Sequence, residues 1–268
     1  MACVLADNHH HRLVDILPDR RQSALEAYFL RYSLEERRQV QTVTIDMYAP
    51  YYQFIRRLFP QAKIVIDRFH LVQLINRTLQ QLRIASMKAI QTSRPRDAHK
   101  LKKQWKLLLK YSEDLDFIYY RTHRLYDGLM TEKMMVSYLI NLCPRLYQAY
   151  DWLNRLKTAI RDHDIEAIRH TVHESHHYTF SWPLRRCFNA FERYMEGIDH
   201  ACSYTLSNGF IEGVNNKIKL IKRTGYGYRR FSRLKTRVLL GYLLRDKDQV
   251  FEPRPLTFEE EQRLRGSC

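Results

Sequence analysis

Several features that mark other protein classes are missing from this 268-residue chain. Its five cysteines are widely spaced and form no C-x-x-C pair, which predicts neither a disulfide framework nor a zinc site and fits a reducing compartment. No apolar run reaches the ~18 residues of a membrane-spanning helix, and no basic stretch followed by an apolar segment opens the chain. No internal repeat or low-complexity segment is present. We therefore expect a cytoplasmic protein that is neither secreted nor inserted in a membrane.

Acidic residues are scarce relative to basic ones, with 29 Asp and Glu against 45 Lys and Arg and a formal net charge of +16. Such an excess is suited to neutralising phosphates and favours a nucleic-acid partner. A protein that is merely basic is the alternative that composition leaves open. The hydrophobic content of 45% is sufficient for a substantial core.

The stretch from Val43 to Asn76 predicts the order strand, helix, strand, helix. Short β-branched runs at 43–45 and 64–66 show no polar alternation, which is typical of strands buried on both faces of a parallel sheet. An aspartate follows each run directly, Asp46 after the first and Asp67 after the second. Because open α/β sheets bind ligands at the carboxyl ends of their strands, the two acids predict a cation site.

The first residues predict a β-hairpin and then a helix. Apolar runs at 3–5 and 13–16 flank three histidines at 9–11, which we interpret as polar turn residues in preference to a metal site. A helix is expected over 20–38. The resulting order is strand, strand, helix, strand, helix, strand, helix. It matches the ribonuclease H fold with its first strand missing.

Between Leu71 and Tyr204 the sequence predicts helices alone, because apolar spacings such as Leu139, Leu142 and Leu146 are typical of packed bundle helices. The predicted fold class is therefore α/β, a ribonuclease H-like mixed sheet that lacks its first strand and carries a large all-α insertion. The predicted parts are a first core segment at 1–80, the all-α insertion at 81–204, final core helices at 205–247 and a polar tail at 248–268. Helices of the insertion are expected at 71–91, 97–112, 114–128, 131–142, 145–162, 164–173 and 184–200.

A third acid lies on a predicted helix far along the chain. At about 100° per residue, Glu212 shares a face with Asn215, Asn216, Lys219 and Arg223, and the opposite face is apolar. Two strand-end aspartates and a glutamate on a helix are what two-metal phosphoryl transfer requires. Their hard oxygen atoms favour Mg²⁺ or Mn²⁺.

A basic turn with two glycines, residues 224–230, follows this helix. Its rings and arginines predict either contacts to a phosphate backbone and to stacked bases or an ordinary turn with packed rings, and the sequence leaves both open. The candidate DNA-binding residues of the helix and the turn are Lys217, Lys219, Lys222, Arg223, Tyr226, Tyr228, Arg229 and Arg230.

Two blocks of the sequence resemble bacterial insertion-sequence transposases of the DDE class, in the group related to Mutator-like elements. The first block contains Asp46 and the motif Asp67-x-x-His70, and the second is N-G-x-x-E-G-x-N at 208–215. The resemblance covers residues 3–245. It implies metal-dependent cleavage of DNA at the ends of the element and attack of the 3′-hydroxyl on target DNA. It also implies a homo-oligomeric complex at the bacterial nucleoid.

The resemblance assigns a role to each candidate residue. Asp46 is the second acid of the triad and Glu212 the third, and both bind metal; Asp67 is the alternative to Asp46 as second acid and metal ligand. Asp67 and His70 form a motif that supports the site, although a structural histidine at position 70 is equally open. Asn215 would orient Glu212 or contact DNA, unless this side of the helix is simply solvated.

The sequence departs from the family pattern in two respects. Family members begin with a zinc-ribbon and helix-turn-helix region and carry the first catalytic aspartate on the first strand, and neither is found here; Asp7 and Asp15 are poor substitutes for that acid. We therefore hypothesise a truncated or decayed transposase that binds DNA nonspecifically and catalyses weakly or not at all. Two alternatives are a non-catalytic DNA-binding protein that regulates a full-length enzyme, and a basic nuclease of the same fold.

Overall fold

The computed structural model describes residues 2–204, Leu206 and residues 208–243. The predicted polar tail at 248–268 and the last residues of the predicted 205–247 segment lie outside this range. The described chain is mixed α/β and mostly helical. Its strands are β1 (Cys3–Asp7), β2 (Arg12–Leu17), β3 (Thr42–Ile45), β4 (Lys63–Ile66), β5 (Arg121–Thr122) and β6 (Leu129–Met130).

The helices account for most of the described residues, with short 3-10 turns at Ser112–Asp114 and Ser175–His177. None of them is both long and apolar enough to cross a bilayer within the described residues. They are α1 (Gln22–Phe29), α2 (Leu34–Arg38), α3 (Ala49–Leu58), α4 (Arg68–Ile90), α5 (Pro95–Lys103), α6 (Trp105–Leu108), α7 (Glu132–Asn141), α8 (Pro144–Arg161), α9 (Ile165–Glu174), α10 (Trp182–Arg193), α11 (Met195–Ser203), α12 (Gly209–Thr224) and α13 (Phe231–Leu243).

The chain divides into two compact units. Unit 1 combines Met1–Arg20 with Gly209–Cys268, and unit 2 is the continuous segment Arg21–Asn208. Within the described residues the strands form three separate two-stranded sheets, β1 with β2, β3 with β4, and β5 with β6, and no single mixed sheet. The boundaries predicted at residues 80 and 204 remain a prediction.

Unit 1 contains the predicted hairpin and the two last described helices. β1 and β2 pair antiparallel, with Cys3 opposite Leu17. Ile16 of the hairpin packs with Val214 and Ile218 of α12 and with Leu234 and Val238 of α13. The apolar face predicted for the helix at 209–224 is therefore the face that α12 buries, and the polar face that carries Glu212 is exposed.

Unit 2 begins with a helical region that differs from the prediction. In place of one helix over 20–38, α1 ends at Phe29 and α2 begins at Leu34. Ser33 and Glu36 form a capping box, in which the Ser33 N–H donates to the Glu36 carboxylate at 2.7 Å and the Glu36 N–H donates to the Ser33 hydroxyl at 3.2 Å. This reciprocal pair satisfies backbone donors at a new helix start, so the chain restarts the helix there.

The order strand, helix, strand, helix that the sequence predicts for residues 43–76 is confirmed. β3 and β4 pair parallel, with Ile45 opposite Ile66, and α3 forms the crossover between them. Ile64, Val65 and Ile66 of β4 are buried as expected, whereas β3 is half-buried along its length. Thr42 to Ile45 thus form the less enclosed of the two strands.

Helices α4 to α11 pack around one large apolar core. α4 and α8 are its longest members, and Leu146, Leu153 and Leu156 of α8 are fully buried in it. Leu139 is buried and Leu142 packs partly buried against the same core, as their helical spacing predicts. The expectation of a helical bundle in this part of the chain is therefore met by most of its residues.

The prediction of a helix at 114–128 is wrong. These residues follow the short turn at Ser112–Asp114 without forming a helix, and they include the small antiparallel hairpin of β5 and β6. Asp116 accepts hydrogen bonds from the N–H groups of Ile118 at 2.9 Å and Tyr119 at 3.0 Å. A carboxylate that binds the backbone two and three residues ahead stabilises a turn instead of a helix. The insertion is thus not entirely helical.

A buried lysine in the insertion gives a prediction for the pH dependence of stability. Lys157 is 3% exposed, its ammonium donates to the Leu109 carbonyl, and it lies 4.4 Å from the centre of the Tyr111 ring. Burial lowers the pKa of Lys157 to about 8, against the weaker opposing effect of the carboxylates of Asp114 and Glu113. In the unfolded chain a lysine keeps its proton until about pH 10.4.

Between pH 7 and pH 9 the unfolded state therefore binds more protons than the folded state, and stability rises with pH. We expect the wild type to gain about 1 kcal/mol of unfolding free energy over this interval relative to Lys157→Met. Burial also raises the pKa of Tyr111, which keeps that neighbour protonated. Urea unfolding of both proteins at pH 7 and pH 9 measures the difference, and equal pH dependence in the two would contradict the expectation.

Candidate functional site

The candidate site is built on the carboxyl ends of β3 and β4. Asp46 directly follows Ile45 and Asp67 directly follows Ile66, and these two isoleucines are opposite each other in the parallel pair. Parallel strands end at the same edge of a sheet, so the two acids lie side by side. The Asp67 N–H extends the pairing by one residue, since it donates to the Ile45 carbonyl at 3.1 Å.

Asp67 is held firmly in place. It is 4% exposed and is the N-cap of α4, where its carboxylate accepts the Phe69 N–H at 3.2 Å. A carboxylate at this position satisfies one of the free donors of the helix and interacts favourably with the helix dipole. Its position therefore depends on both β4 and α4.

His70 joins the two acids from the first turn of α4. Its Nε2 lies 2.7 Å from Oδ1 of Asp46 and 3.9 Å from Oδ2 of Asp67. Asp46 is more exposed than Asp67 and precedes α3, where its carbonyl accepts the Tyr48 N–H at 2.7 Å. The His70 ring thus lies closer to the Asp46 carboxylate than to that of Asp67.

The three side chains fit a divalent cation. Each offers one ligand atom, and these atoms all lie within 4.8 Å of one another. In the part of the chain that the structure describes, this is the one such cluster of three acidic, histidine or cysteine side chains. Carboxylate oxygens suit Mg²⁺ and Mn²⁺, and an imidazole is accepted more readily by the transition metals. The donor set therefore fits Mn²⁺ at least as well as Mg²⁺.

Glu212 belongs to unit 1, whereas the other candidate ligands belong to unit 2. It lies in the first turn of α12 and is exposed, together with Asn215, Asn216 and Lys219 on the same helix. The Lys219 ammonium lies 3.4 Å from the Asn216 side-chain oxygen. The polar face predicted from the helical spacing is therefore present, and the role of Glu212 as third acid remains a prediction.

The candidate DNA-binding residues of unit 1 differ in their surroundings. Lys219, Lys222, Arg223, Arg229 and Arg230 are exposed. Lys217 instead turns towards α13, where its ammonium donates to the Gly241 carbonyl at 2.8 Å and lies 4.0 Å from the centre of the Tyr242 ring.

The two tyrosines of the basic turn have opposite environments, and the DNA contacts expected of this turn remain a prediction. Tyr226 is fully exposed and has a positive φ of 50°, and Gly227 follows with φ 93°. Tyr228 is half-buried and packs against the core of unit 1. A Cβ on Gly225 would lie 2.9 Å from the Tyr228 ring, so the glycine is needed for this packing.

The N-terminal acids and histidines stabilise the hairpin and its contacts with α12 and α13. Asp7 accepts the His9 and His10 N–H groups and lies 2.6 Å from Nδ1 of His10. His11 stacks on Phe210 with 5.5 Å between ring centres, and Asp15 pairs with Lys235 at 2.5 Å. Within the described residues, none of the three histidines is part of a three-ligand metal cluster.

Two residues of α11 position β4 and were not singled out from the sequence. Nδ1 of His200 lies 2.8 Å from the Ile64 carbonyl oxygen, and Gly197 lies directly against Ile66. A Cβ at position 197 would be 2.7 Å from Cγ1 of Ile66, closer than side chains approach. A glycine inside an otherwise helical pattern was the available signal, since such a residue commonly marks a close contact.

Comparisons with known proteins give two kinds of match. A family model described as a transposase, that of the DDE transposase group ISL3, matches residues 1–238. The chain is 27% identical over 229 residues to the transposase for insertion sequence element IS1001 of Bordetella parapertussis, covering 85% of this chain and 54% of that protein. It is 25% identical over 113 residues to a protein named ATP-dependent protease of Lactococcus lactis subsp. lactis, covering 42% and 36% respectively. No solved structure gives a significant match.

Proposed function

This chain belongs to the ISL3 family of DDE transposases, and on that premise we propose that it carries out metal-dependent phosphoryl transfer on DNA. The reaction would be cleavage at the ends of an insertion sequence and transfer of the 3′-end to target DNA. The chain spans about half the length of the transposase for IS1001 that it matches. Transposition by the whole protein is therefore part of the proposal.

The expected class, an insertion-sequence transposase, is confirmed by the family match and by the relative from Bordetella parapertussis. The matched family is ISL3, and neither comparison supports the narrower placement in the Mutator-related group or its D-x-x-H motif. Asp67 and His70 are therefore included in the proposal because of where their side chains lie, and not because of a family motif. The ribonuclease H-like architecture, the homo-oligomer and the nucleoid location belong to the proposal as well.

The observation that supports the proposal is the cluster of Asp46, Asp67 and His70 at the ends of two parallel strands. A divalent cation bound there would supply Lewis-acid activation and neutralise charge on a phosphate group. Asp67 is the fixed ligand, because it is buried and caps α4. Asp46 is the exposed ligand, and His70, whose Nε2 lies 2.7 Å from the Asp46 carboxylate, completes the donor set. We assign Glu212 as the third carboxylate on the basis of the family resemblance.

The exposed polar face of α12 and the basic turn are the proposed DNA contacts. Lys222 and Arg223 lie in the last turn of α12, are exposed, and take part in no ion pair between described residues. We expect Lys222→Glu with Arg223→Glu to weaken binding to any duplex and to reduce the slope of log affinity against log salt by about 2. Fluorescence anisotropy with two unrelated duplexes at several salt concentrations measures both.

The matched control for that experiment is Arg155→Glu with Arg169→Glu, because both arginines already pair with acids in unit 2, Arg155 with Glu174 and Arg169 with Asp199. The control changes the net charge equally and should alter the salt slope less. An unchanged slope in the α12 variant, or an equal change in the control, would show that the α12 face does not contact DNA.

The proposed function is tested by Mn²⁺ titration calorimetry together with nicking of a supercoiled plasmid in Mn²⁺. We expect metal binding by the wild type, its loss in Asp46→Ala, and nicking that is lost in Asp46→Ala and Glu212→Ala. If the wild type binds DNA but neither binds Mn²⁺ nor nicks, the non-catalytic DNA-binding alternative is correct. The reduced catalysis hypothesised from the sequence would be seen in the same assay as metal binding with little nicking.

A further inference from the structure

Four consecutive large side chains are exposed in the insertion, at Phe117, Ile118, Tyr119 and Tyr120. Each is between 58% and 66% exposed. A folded chain rarely leaves such a run in water without a function, because contiguous apolar surface marks a site of interaction. We call this segment, residues 117–120, the aromatic strip.

The aromatic strip is held in one conformation by the residues before it. The Asp116 carboxylate binds the backbone N–H groups of Tyr119 and Ile118, which lower the pKa of this carboxyl below its usual value. The Asp116 carbonyl accepts the Lys133 N–H at 3.1 Å, and the Asp116 N–H donates to Glu132 at 3.2 Å. The backbone that carries the rings is therefore fixed before any ligand binds, which reduces the entropy cost of binding.

A cavity of about 290 Å³ lies beside the strip. Tyr119 forms part of its wall, and the wall also contains three cationic side chains, those of Lys103, Lys106 and Arg121. None of these three cations takes part in an ion pair between residues that the structure describes. The acids of the wall are already bonded, Asp116 to backbone N–H groups and Glu132 to the Lys110 ammonium at 2.6 Å. The cavity therefore presents net positive charge next to exposed rings.

We propose that the aromatic strip and this cavity bind unpaired bases of single-stranded DNA, with the rings stacking on bases and Lys103, Lys106 and Arg121 contacting the phosphates. Exposed rings beside cations are the composition of surfaces that bind single strands. The cavity is at the lower end of the range for small-ligand pockets and accepts a group the size of one base. The proposal rests on the proposed function in taking DNA as the ligand.

The mixture of rings and cations favours a nucleic acid over a second copy of the chain. Lys133 lies over the Phe117 ring at 5.8 Å, and Lys106 lies over the Trp105 ring at 5.8 Å. The cores of interfaces between copies are depleted in charged residues. A surface on which lysines alternate with rings would bury uncompensated ammonium groups in such a contact.

The test compares two oligonucleotides of about 12 nucleotides, a length within the range that single-strand binders contact. One is poly-dT, and the other replaces several bases by abasic sites while it keeps all phosphates. Fluorescence anisotropy should show that the wild type binds poly-dT about fivefold more tightly or better. The triple variant F117A/Y119A/Y120A should bind the two oligonucleotides equally. Its substituted side chains are exposed, so its thermal midpoint should remain that of the wild type.

Trp182→Ala is the matched control, because Trp182 is an exposed ring on α10 that does not line the cavity. It should keep the full preference for bases. Lys103→Glu with Lys106→Glu should weaken binding to both oligonucleotides, since phosphate contacts are lost in each case. Equal binding of the two oligonucleotides by the wild type, or an unchanged preference in the triple variant, would overturn the proposal.

Sedimentation of the same proteins tests whether the aromatic strip instead joins copies of the chain. If the triple variant sediments as a smaller species and keeps the preference for bases, the strip joins copies of the chain and the proposal is wrong. Asp67→Asn should keep the preference, because it changes the cation site alone. Failure of the proposed function would thus be seen in Mn²⁺ binding and nicking, and failure of this proposal in the loss of base-dependent binding.

Discussion

Replacing Asp67 with asparagine is expected to lower the affinity for Mn²⁺ by at least about 100-fold and to leave the free energy of unfolding within about 0.5 kcal/mol of the wild type. Outer-shell partners of metal ligands already cost ~10–100-fold when they are changed, and a direct ligand costs more. The asparagine side-chain oxygen can still accept the Phe69 N–H, so the cap of α4 is kept. Titration calorimetry and urea unfolding measure the two quantities.

Asp67→Ala separates the two tasks of this side chain. It removes the ligand and also the cap, so we expect the same loss of Mn²⁺ affinity together with about 1 kcal/mol of lost stability. The matched control is Thr131→Ala. Thr131 is a buried N-cap on α7 whose hydroxyl accepts the Met134 N–H at 3.2 Å, and it has no part in the candidate site.

Thr131→Ala should therefore lose similar stability and bind Mn²⁺ as the wild type does. Undiminished Mn²⁺ binding in both Asp67 variants would show that Asp67 is not a ligand, and Asp46 would remain the candidate. A loss of Mn²⁺ binding in the Thr131 variant would show that general destabilisation, and not the missing ligand, explains the result.

The second large effect is expected from Gly197→Ala, far from the site in sequence. The added methyl group would lie 2.7 Å from Cγ1 of Ile66 and 3.5 Å from the Ile64 carbonyl oxygen. Since Ile66 is fully buried and precedes Asp67, the overlap must move either α11 or the end of β4. We expect a loss of about 1–3 kcal/mol of stability, the usual cost of overpacking, together with weaker Mn²⁺ binding.

Gly213→Ala is the matched control for that substitution. Gly213 lies in α12, and a Cβ there would have nothing within 4 Å. The same chemical change should therefore raise stability by up to about 1 kcal/mol, because alanine is the better helix former. Thermal unfolding and calorimetry of both variants give the comparison. Equal effects at positions 197 and 213 would contradict the close contact between α11 and β4.

The sequence predicted the parallel strand pair that carries the candidate cation site, because the information needed was local. Two short β-branched runs, each followed by an aspartate, are enough to define parallel strands whose ends meet. The link between His70 and Asp46 could not be predicted in the same way. It depends on how the first turn of α4 faces the bend after β3, and the spacing of the residues gives no information on that orientation.

The errors occurred where a polar side chain overrode an apolar spacing. Residues 114–128 carry apolar residues at helical intervals, but Asp116 binds the backbone ahead of it, and Gly128, with φ 104°, turns the β5–β6 hairpin. Ser33 and Glu36 interrupted the helix predicted at 20–38 in a similar manner. The contact of Gly197 with Ile66 joins residues far apart in the chain, and a single sequence gives no measure of such a distance.

The division of the chain into units has a consequence for its synthesis. Unit 2 is continuous, so all of its residues have been synthesised once the ribosome has passed residue 208. The hairpin of unit 1 is synthesised before unit 2 but packs on Val238 of α13, so its packing requires nearly all of the described chain. A growing or prematurely ended chain can therefore assemble Asp46, Asp67 and His70 but not the packed helix that carries Glu212. The helix that carries Glu212, the proposed third acid, is therefore packed after the residues of the proposed cation site have been synthesised.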